Sequence, residues 1–334
     1  MVSSLRLATF NLENLDWSPR RDARFEQRLG VLKPILNECA ADILCLQEVN
    51  AQRAASHDER RFLALDRLFA DGPYETYHRA TSVRPGASAP ADVHNLVIAS
   101  RWPIIDQRQV FHDIVAKWSW TPPAEGRAPP SPIGITWDRP LLYARISTPG
   151  GKPLHVINLH LRAPRAVPLQ GDDIATAGDL SRAFVEGQFV AGQKREGQAL
   201  EARLFIERLF DAEPDARIIV CGDLNSQEHD MPARILRGGR DEETPETSPR
   251  MLVSLAERVS SARRFSVVHG DRNILLDHIL ASPALACACS SVVIFNEGLQ
   301  DEITAREPIL GSLHAPIVAS FGLTSDQNES RTSR

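Results

Sequence analysis

The stretch Arg217-Ile218-Ile219-Val220-Cys221-Gly222-Asp223-Leu224-Asn225-Ser226 constrains the fold more than any other in this chain. Its β-branched apolar run has the signature of a buried strand, and the run stops abruptly in Gly-Asp-Leu-Asn. Side chains alternate along a strand, so Asp223 and Asn225 share one face while Gly222 and Leu224 take the other. One carboxylate and one carboxamide are then held side by side at a strand end, where a rigid scaffold presents polar groups to a cleft. Gly, Asp, Asn and Ser are also the usual turn residues, so this stretch alone equally suits a strand running into a polar turn.

The same pattern recurs along the chain. Residues 5–10 form an apolar run ending in Asn11-Leu12-Glu13, and residues 43–49 form a strand that closes on Gln47-Glu48. Residues 141–146 and 154–161 read as a hairpin whose second strand sets Asn158 and His160 on one face. The run 274–282 carries Asp277 and His278 on opposite faces, and Gly311-Ser312-Leu313-His314 leads into a last strand at 315–321. Further strands are expected at 94–100 and 291–295. Helical spacing of Phe25, Leu29, Leu32 and Leu36 predicts a helix over 22–38, bent by Pro34. Other helices are expected at 60–70, at 195–211 with Leu200, Leu204, Ile206 or Leu209, and Phe210 as its apolar residues, and from Asp230 to Gly238. Ser248-Pro249 reads as the cap of one more. Ten or more strands with interspersed helices imply layers: two packed sheets with helices outside. The expectation is one domain over residues 1–323 and a polar, disordered tail at 324–334.

Composition excludes little but orders the alternatives. At 334 residues and 43% hydrophobic the chain can bury a substantial core, and its net charge of −5 gives no global basic field for nucleic acid. A local basic groove remains open, from Arg162, Arg165, Arg182, Lys194 and Arg195 in and around the Gly/Ala-rich insertion at 162–194. The five cysteines form no CxxC pair and are odd in number, which fits free thiols in a reducing compartment. With no signal-peptide pattern and no run of eighteen apolar residues, a cytoplasmic chain without a membrane span is expected. The proline-rich stretch 121–132 reads as a surface excursion, and Trp118, Trp120 and Trp137 either clasp it or line a substrate rim.

Six strand ends thus carry polar residues: Asn11, Glu48, Asn158 with His160, Asp223 with Asn225, Asp277, and His314. Together they offer hard oxygen ligands of the kind Mg2+ takes, plus two histidines, without the thiolate or multi-His spacing of a zinc site. Phosphoester hydrolysis needs such a set. A metal neutralises phosphoryl oxygens, a carboxylate orients and deprotonates water, and an imidazolium stabilises developing charge.

On these motifs the sequence resembles the endonuclease/exonuclease/phosphatase superfamily over residues 5–321. Thr9-Phe10-Asn11-Leu12-Glu13, Leu46-Gln47-Glu48, Asn158-Leu159-His160-Leu161, Gly222-Asp223-Leu224-Asn225, Leu276-Asp277-His278-Ile279-Leu280 and Ser312-Leu313-His314-Ala315-Pro316 stand in the family's order. The resemblance implies a four-layer α/β sandwich with its site between two mixed sheets. It implies Mg2+, with Mn2+ able to substitute, on Glu48 and Asn11, and Glu13 as a further contributor. It implies Asp223 activating water with Asn225 holding it, Asp277 keeping His314 protonated, and His160 on a phosphoryl oxygen or the leaving group. Beside His94, Asn95 matches a family substrate-site position. Where the family has Asp before the final His this chain has Leu313, which should weaken or reshape the metal site. The expected substrate is a phosphodiester, nucleic acid first among them. The alternatives are a monoester of a small or lipid-headgroup substrate, or a homologue that binds a phosphorylated ligand without cleaving it. Oligomeric state is not legible.

Overall fold

The computed structural model describes residues 3–323 apart from 56–57, 124–130, 150, 169–176, 240–242, 245–246 and 307. In chain order its strands are β1 (Ser3–Leu15), β2 (Ile43–Val49), β3 (His78–Thr81), β4 (Asn95–Ser100), β5 (Ile104–Val110), β6 (Trp118–Trp120), β7 (Ile133–Ile135) and β8 (Leu141–Ile146). They continue with β9 (Leu154–His160), β10 (Arg217–Asp223), β11 (Val253–Ser254), β12 (Val267–His269), β13 (Arg272–Ile274), β14 (Asp277–Ala281), β15 (Cys289–Ile294) and β16 (Ile317–Leu323). The helices are α1 (Asp22–Cys39), α2 (Leu63–Phe69), α3 (Ala177–Ala212), α4 (Met231–Arg237) and α5 (Pro283–Cys287). The expected tail at 324–334 lies outside the described residues.

Twelve strands make two six-stranded sheets, ordered β15-β16-β1-β2-β4-β3 and β11-β14-β10-β9-β8-β5. Alternation along each strand sorts the apolar residues into three packed layers. Leu5, Leu7, Ile43 and Cys45 of the first sheet meet Val156, Ile219, Cys221 and Ile279 of the second in a dry seam between the sheets. Ala8, Phe10, Leu44 and Leu46 turn outward onto Phe25, Leu32 and Leu36 of α1 and Leu65 and Leu68 of α2. Ile157, Leu159, Ile218 and Val220 turn outward onto α3 and α4. The result is the expected helix–sheet–sheet–helix sandwich of mixed sheets.

Three local expectations change. Residues 248–252 form no helix but a turn that leads into β11. The strand expected over 274–282 is broken at 275–276, separating β13 from β14. The helix read at 195–211 extends back to residue 177, and it buries Ala199, Ala202, Phe205, Ile206 and Phe210 while Leu200 and Leu204 stay exposed. Small residues on the packed stripe let the helix axis approach the sheet, which leaves the larger leucines on the outer side. The tryptophans pack the β6–β7 ribbon against α3, and the stretch 124–130 that they were expected to hold lies outside the described residues. β6 and β7 pair in a two-stranded ribbon, Trp118, Trp120 and Trp137 pack with Val190 of α3, and the Trp137 indole donates to Glu201 Oε2 at 2.6 Å. A Cβ on Gly197 would stand 2.4 Å from the Trp137 ring, so only glycine admits this contact.

Pairing directions collect the polar strand ends at one edge of the sandwich. β1 runs parallel to β2, and β9 parallel to β10, so their C-terminal ends lie together. β14 is antiparallel to β10 with Asp277 opposite Asp223, and β16 is antiparallel to β1 with Ile317 opposite Thr9, which delivers His314 to the same edge.

Candidate active site

The seam between the sheets changes character within one residue pair. On the inward face, Leu5 and Leu7 give way to Thr9 and Asn11, Ile43 and Cys45 to Gln47, Val156 to Asn158 and His160, and Cys221 to Asp223. These polar side chains and Asp277 are all buried. Such groups are tolerable only when hydrogen bonded. The deepest pair bolts the sheets together. Gln47 Nε2 donates to Thr9 Oγ1 at 3.1 Å and to Asn158 Oδ1 at 2.7 Å, while Asn158 Nδ2 donates to the carbonyls of Leu46 and Val97, both at 3.0 Å.

Above that bolt sits Asp223. Gly222 precedes it at φ +132°, and a Cβ there would lie 1.9 Å from the Leu159 carbonyl oxygen, so glycine is required where β10 approaches β9. Asp223 Oδ1 accepts from the Asn225 backbone N–H at 2.8 Å, and Oδ2 accepts from Asn11 Nδ2 at 3.0 Å and Asn225 Nδ2 at 3.3 Å. His160 Nε2 stands 3.4 Å from the same oxygen. Burial, with the Asp277 charge adding to it, pushes the Asp223 carboxyl up to about 7 against the pull of His314 and the hydrogen bonds. His314 Nδ1 bonds Asp277 Oδ2 at 2.7 Å and its Nε2 lies 4.0 Å from Asp223 Oδ2. Burial alone would lower this imidazole, but the Asp277 and Asp223 charges raise it to about 10, so it is a cation between two acids. His160 goes the other way: burial, then Arg139, His94 and His314, hold it well below the ordinary histidine value.

Glu48 reaches this cluster through strained backbone. Strict alternation would send it outward with Leu44 and Leu46, but its φ is +57° and the pairing register of β2 with β4 slips between Leu46 and Val49. The carboxylate accepts from Asn11 Nδ2 at 3.4 Å and from the Asn14 backbone N–H at 3.0 Å, and lies 3.8 Å from His160 Nε2. Glu13, Asn14, His94 and Asn225 also hold positive φ (45°, 53°, 59° and 45°), so the strain is concentrated at this edge. Glu13 Oε2 accepts from the backbone N–H of Leu313 at 2.5 Å. Leu313 itself is buried and apolar, so the loop before β16 contributes its backbone, and His314, to this edge.

The structure therefore brings Asn11, Glu48, His160, Asp223, Asn225, Asp277 and His314 to one mouth. Asn158 is spent beneath it, and His278 faces away, bonded to the Ser226 carbonyl at 2.8 Å. His94 joins the cluster, with Nδ1 3.6 Å from Glu48 Oε2, whereas Asn95 is committed to the backbone of Val49 and Ala91. Sequence reading missed Arg139. Its charge acts on Glu48 and Asp223, burial pulls its guanidinium below the ordinary value, and its Nη1 is buried without a partner. The only signal was a charged pair, Asp138-Arg139, before Pro140 and an apolar strand.

A divalent cation fits this donor set. Two carboxylates, Glu48 and Asp223, share one carboxamide, and the resulting buried negative charge is what a hard cation compensates. In this arrangement Asn11 offers them its NH2 while its oxygen accepts from the Glu13 N–H at 2.9 Å, so ligation by that oxygen requires the amide to turn over. Asp223, Asp277 and His314 also present ligand atoms within 4.8 Å of one another. The Asp277–His314 hydrogen bond and the protonated ring make that second set a charge pair before it is a metal cage.

Residues 8–326 match the family model described as the endonuclease/exonuclease/phosphatase family. The chain belongs to that family. Its members are metal-dependent hydrolases of phosphoester bonds. Among solved structures, a Bacteroides thetaiotaomicron protein of the family aligns at TM-score 0.57 with 14% identity, covering 97% of this chain and 96% of its own. Truncated Caenorhabditis elegans TDP2 aligns at 0.56 with 15% identity, covering 96% and 97%. A mannosyl-6-phosphatase from Bacteroides thetaiotaomicron VPI-5482 aligns at 0.56 with 15% identity, covering 94% and 98%. At these identities the likeness is one of fold. Curated relatives match only locally: chloroplastic palmitoyl-[acyl-carrier-protein] 4-desaturase 3 of Ophrys sphegodes is 37% identical over 65 residues, 20% of this chain and 16% of its own length. No described helix is long and apolar enough to cross a membrane.

Proposed function

We propose that this chain is a Mg2+-dependent phosphodiesterase, with nucleic acid as its leading substrate. The observation that carries the reading is Asp223: a buried carboxylate raised to about 7, held by Asn225 and Asn11, and faced by a cationic imidazole. A carboxylate near neutrality is matched to taking a proton from water at physiological pH. Asn225 and Asn11 fix its rotamer. His314, kept protonated by Asp277, lies across from it and stabilises charge that builds on phosphoryl oxygens. His160, neutral at the same pH, offers a hydrogen bond to a phosphoryl or leaving-group oxygen. Glu48 and Asn11, with Glu13 beside them, would hold the metal. Bound there, a divalent cation neutralises phosphoryl oxygens and polarises phosphorus toward attack.

Arg139, Arg162 and Lys194 support an anionic substrate. Arg162 and Lys194 both pair with Asp138, and Arg139 stands next in sequence, which gathers cationic charge at one rim of the mouth. The test is hydrolysis of bis-p-nitrophenyl phosphate, p-nitrophenyl phosphate and plasmid DNA by the wild type with Mg2+, Mn2+ or EDTA. Metal-dependent cleavage of the diesters is expected, and preference for the monoester would refute the diesterase reading. Because Leu313 replaces an acid in the family pattern, a protein that binds phosphate without turnover is the second reading. Absence of turnover on all three substrates with either metal would favour it.

A further inference from the structure

Glu201 of α3 is a buried carboxylate that the acid–imidazole cluster does not use. A buried charge is tolerable only where donors surround it, and Glu201 has four. Its Oε1 accepts from the backbone N–H groups of Ile114 (3.0 Å) and Val115 (3.2 Å), and its Oε2 from the His112 N–H (3.0 Å) and the Trp137 indole (2.6 Å). His112 in turn stacks on Trp137 with ring centroids 4.2 Å apart, and its Nε2 accepts from the Trp137 backbone N–H at 3.3 Å. One carboxylate therefore fixes the ring of Trp137, two residues before Arg139.

The same face of α3 ties down the rest of that loop. Lys194, Gln198 and Glu201 stand at i, i+4 and i+7. Lys194 Nζ bonds Asp138 Oδ1 at 3.1 Å, and Gln198 Nε2 donates to the Arg139 carbonyl at 3.0 Å. Trp137, Asp138 and Arg139 are thus each held by one residue of a single helical stripe, and Pro140 after them confines Arg139 to extended backbone. Leu142 of β8 pairs opposite Asn158 of β9, so the same register carried two residues further sets Pro140 against His160 and Arg139 just past it, at the mouth. Among the described residues Arg139 forms no ion pair with Glu48 or Asp223, although its charge acts on both and adds to burial in lowering His160 and His94. Its Nη1 is buried without a partner. A guanidinium held close to acids yet left unpaired is available to phosphoryl oxygens, which its planar fork matches. We infer that Glu201 is a positioning residue: through the Trp137 indole, with Gln198 beside it, it sets the Arg139 guanidinium against the phosphoryl oxygens of the substrate. The inference rests on the phosphoesterase reading and gives α3 a part in it.

The experiment is a double-mutant cycle of Trp137→Phe and Arg139→Ala, assayed on bis-p-nitrophenyl phosphate with Mg2+. Trp137→Phe keeps a ring for His112 to stack on and leaves Glu201 its three backbone donors, so it removes the indole tie and little else. In Arg139→Ala kcat/KM should fall about 10²–10³-fold, the loss typical of a donor to developing charge. In Trp137→Phe it should fall about tenfold to a hundredfold, the loss typical of a misplaced group. The double variant should match Arg139→Ala within about twofold, because a guanidinium that is already gone cannot be misplaced. Gln198→Leu, which removes only the tie to the Arg139 carbonyl, enters the same cycle and should give the same pattern at smaller amplitude. Losses that multiply in the double variants would show that the ties serve the fold at large, and would overturn the inference while leaving the hydrolase reading intact. Wild-type kcat/KM in Trp137→Phe would also overturn it. If the wild type hydrolyses nothing, the hydrolase reading falls, and the same proteins titrated with inorganic phosphate still decide the inference. Affinity should then be weakened by each single substitution and no further by the pair; wild-type affinity in Arg139→Ala would overturn it.

Discussion

The two ends of the seam between the sheets are built from the same strands and the same faces. At one end Leu7, Cys45, Val156, Ile219 and Ile279 pack dry against one another. One or two alternations further along, Asn11, Gln47, His160, Asp223 and Asp277 occupy equivalent inward positions and are buried as well. The dry end gains from removing apolar surface from water. The polar end has no such gain and holds a charge triad, five positive-φ residues near 45–59° and several buried polar atoms without partners, among them Asp277 Oδ1 and His160 Nδ1. The comparison teaches that the dry end supplies the rigidity against which the polar end is held out of its own preferred state. In the reading proposed above, stability lives at one end and chemistry at the other.

The largest separation should come from the Asp277–His314 pair. Asp277→Asn removes the charge that keeps the imidazole protonated, and the loss of such a group typically costs about 10²–10⁴ in rate. The pH profile sharpens this. His314 is raised from 6.5 to about 10, so its pairing stabilises the fold fully below 6.5 and loses that contribution as pH rises through 10. The alkaline limb of kcat/KM in the wild type should therefore lie near 10 and move toward neutrality in Asp277→Asn. An unmoved limb would break the assignment.

Ile219→Ala at the dry end should do the reverse. It should cost about 2–5 kcal/mol in denaturant unfolding, while kcat/KM per folded molecule stays within about twofold. A loss of rate equal to that at the polar end would erase the distinction between the two. The smallest effect is expected from Leu313→Asp. A carboxylate added there should tighten Mg2+ binding several-fold by isothermal titration, with Glu13 and Glu48 already in place; no change in affinity or rate would show that Leu313 had cost the site nothing.

The dry end was legible in the sequence because strand alternation there is regular, and so was the order of the polar strand ends. Asp223, His160 and Asp277 take the faces their strands dictate. Glu48 does not: alternation assigns it to the outer face, and only a register slip and a positive φ return it to the mouth. Arg139 was invisible for a different reason. A charged residue in a loop has no periodicity, and its meaning depends on which strand ends the fold brings beside it. The helix at 195–211 was found with Ile206 and Phe210 rightly on its buried face, but hydrophobicity favoured Leu200 and Leu204 over the alanines that admit close packing.

The measurement that tests the account most directly is Asp223→Asn, assayed for Mg2+-dependent hydrolysis of bis-p-nitrophenyl phosphate and, at a pH of about 8 where the wild-type carboxylate is ionised, for thermal unfolding of the metal-free protein. The wild-type carboxyl is raised from 3.8 to about 7, so its ionisation destabilises the fold progressively as pH climbs through that window. The substitution should abolish turnover while raising the unfolding midpoint, by roughly 2–4 °C for each kcal/mol relieved. Retained turnover, or turnover lost together with a lowered midpoint, would contradict the division between a stabilising end and a chemical end of the same seam.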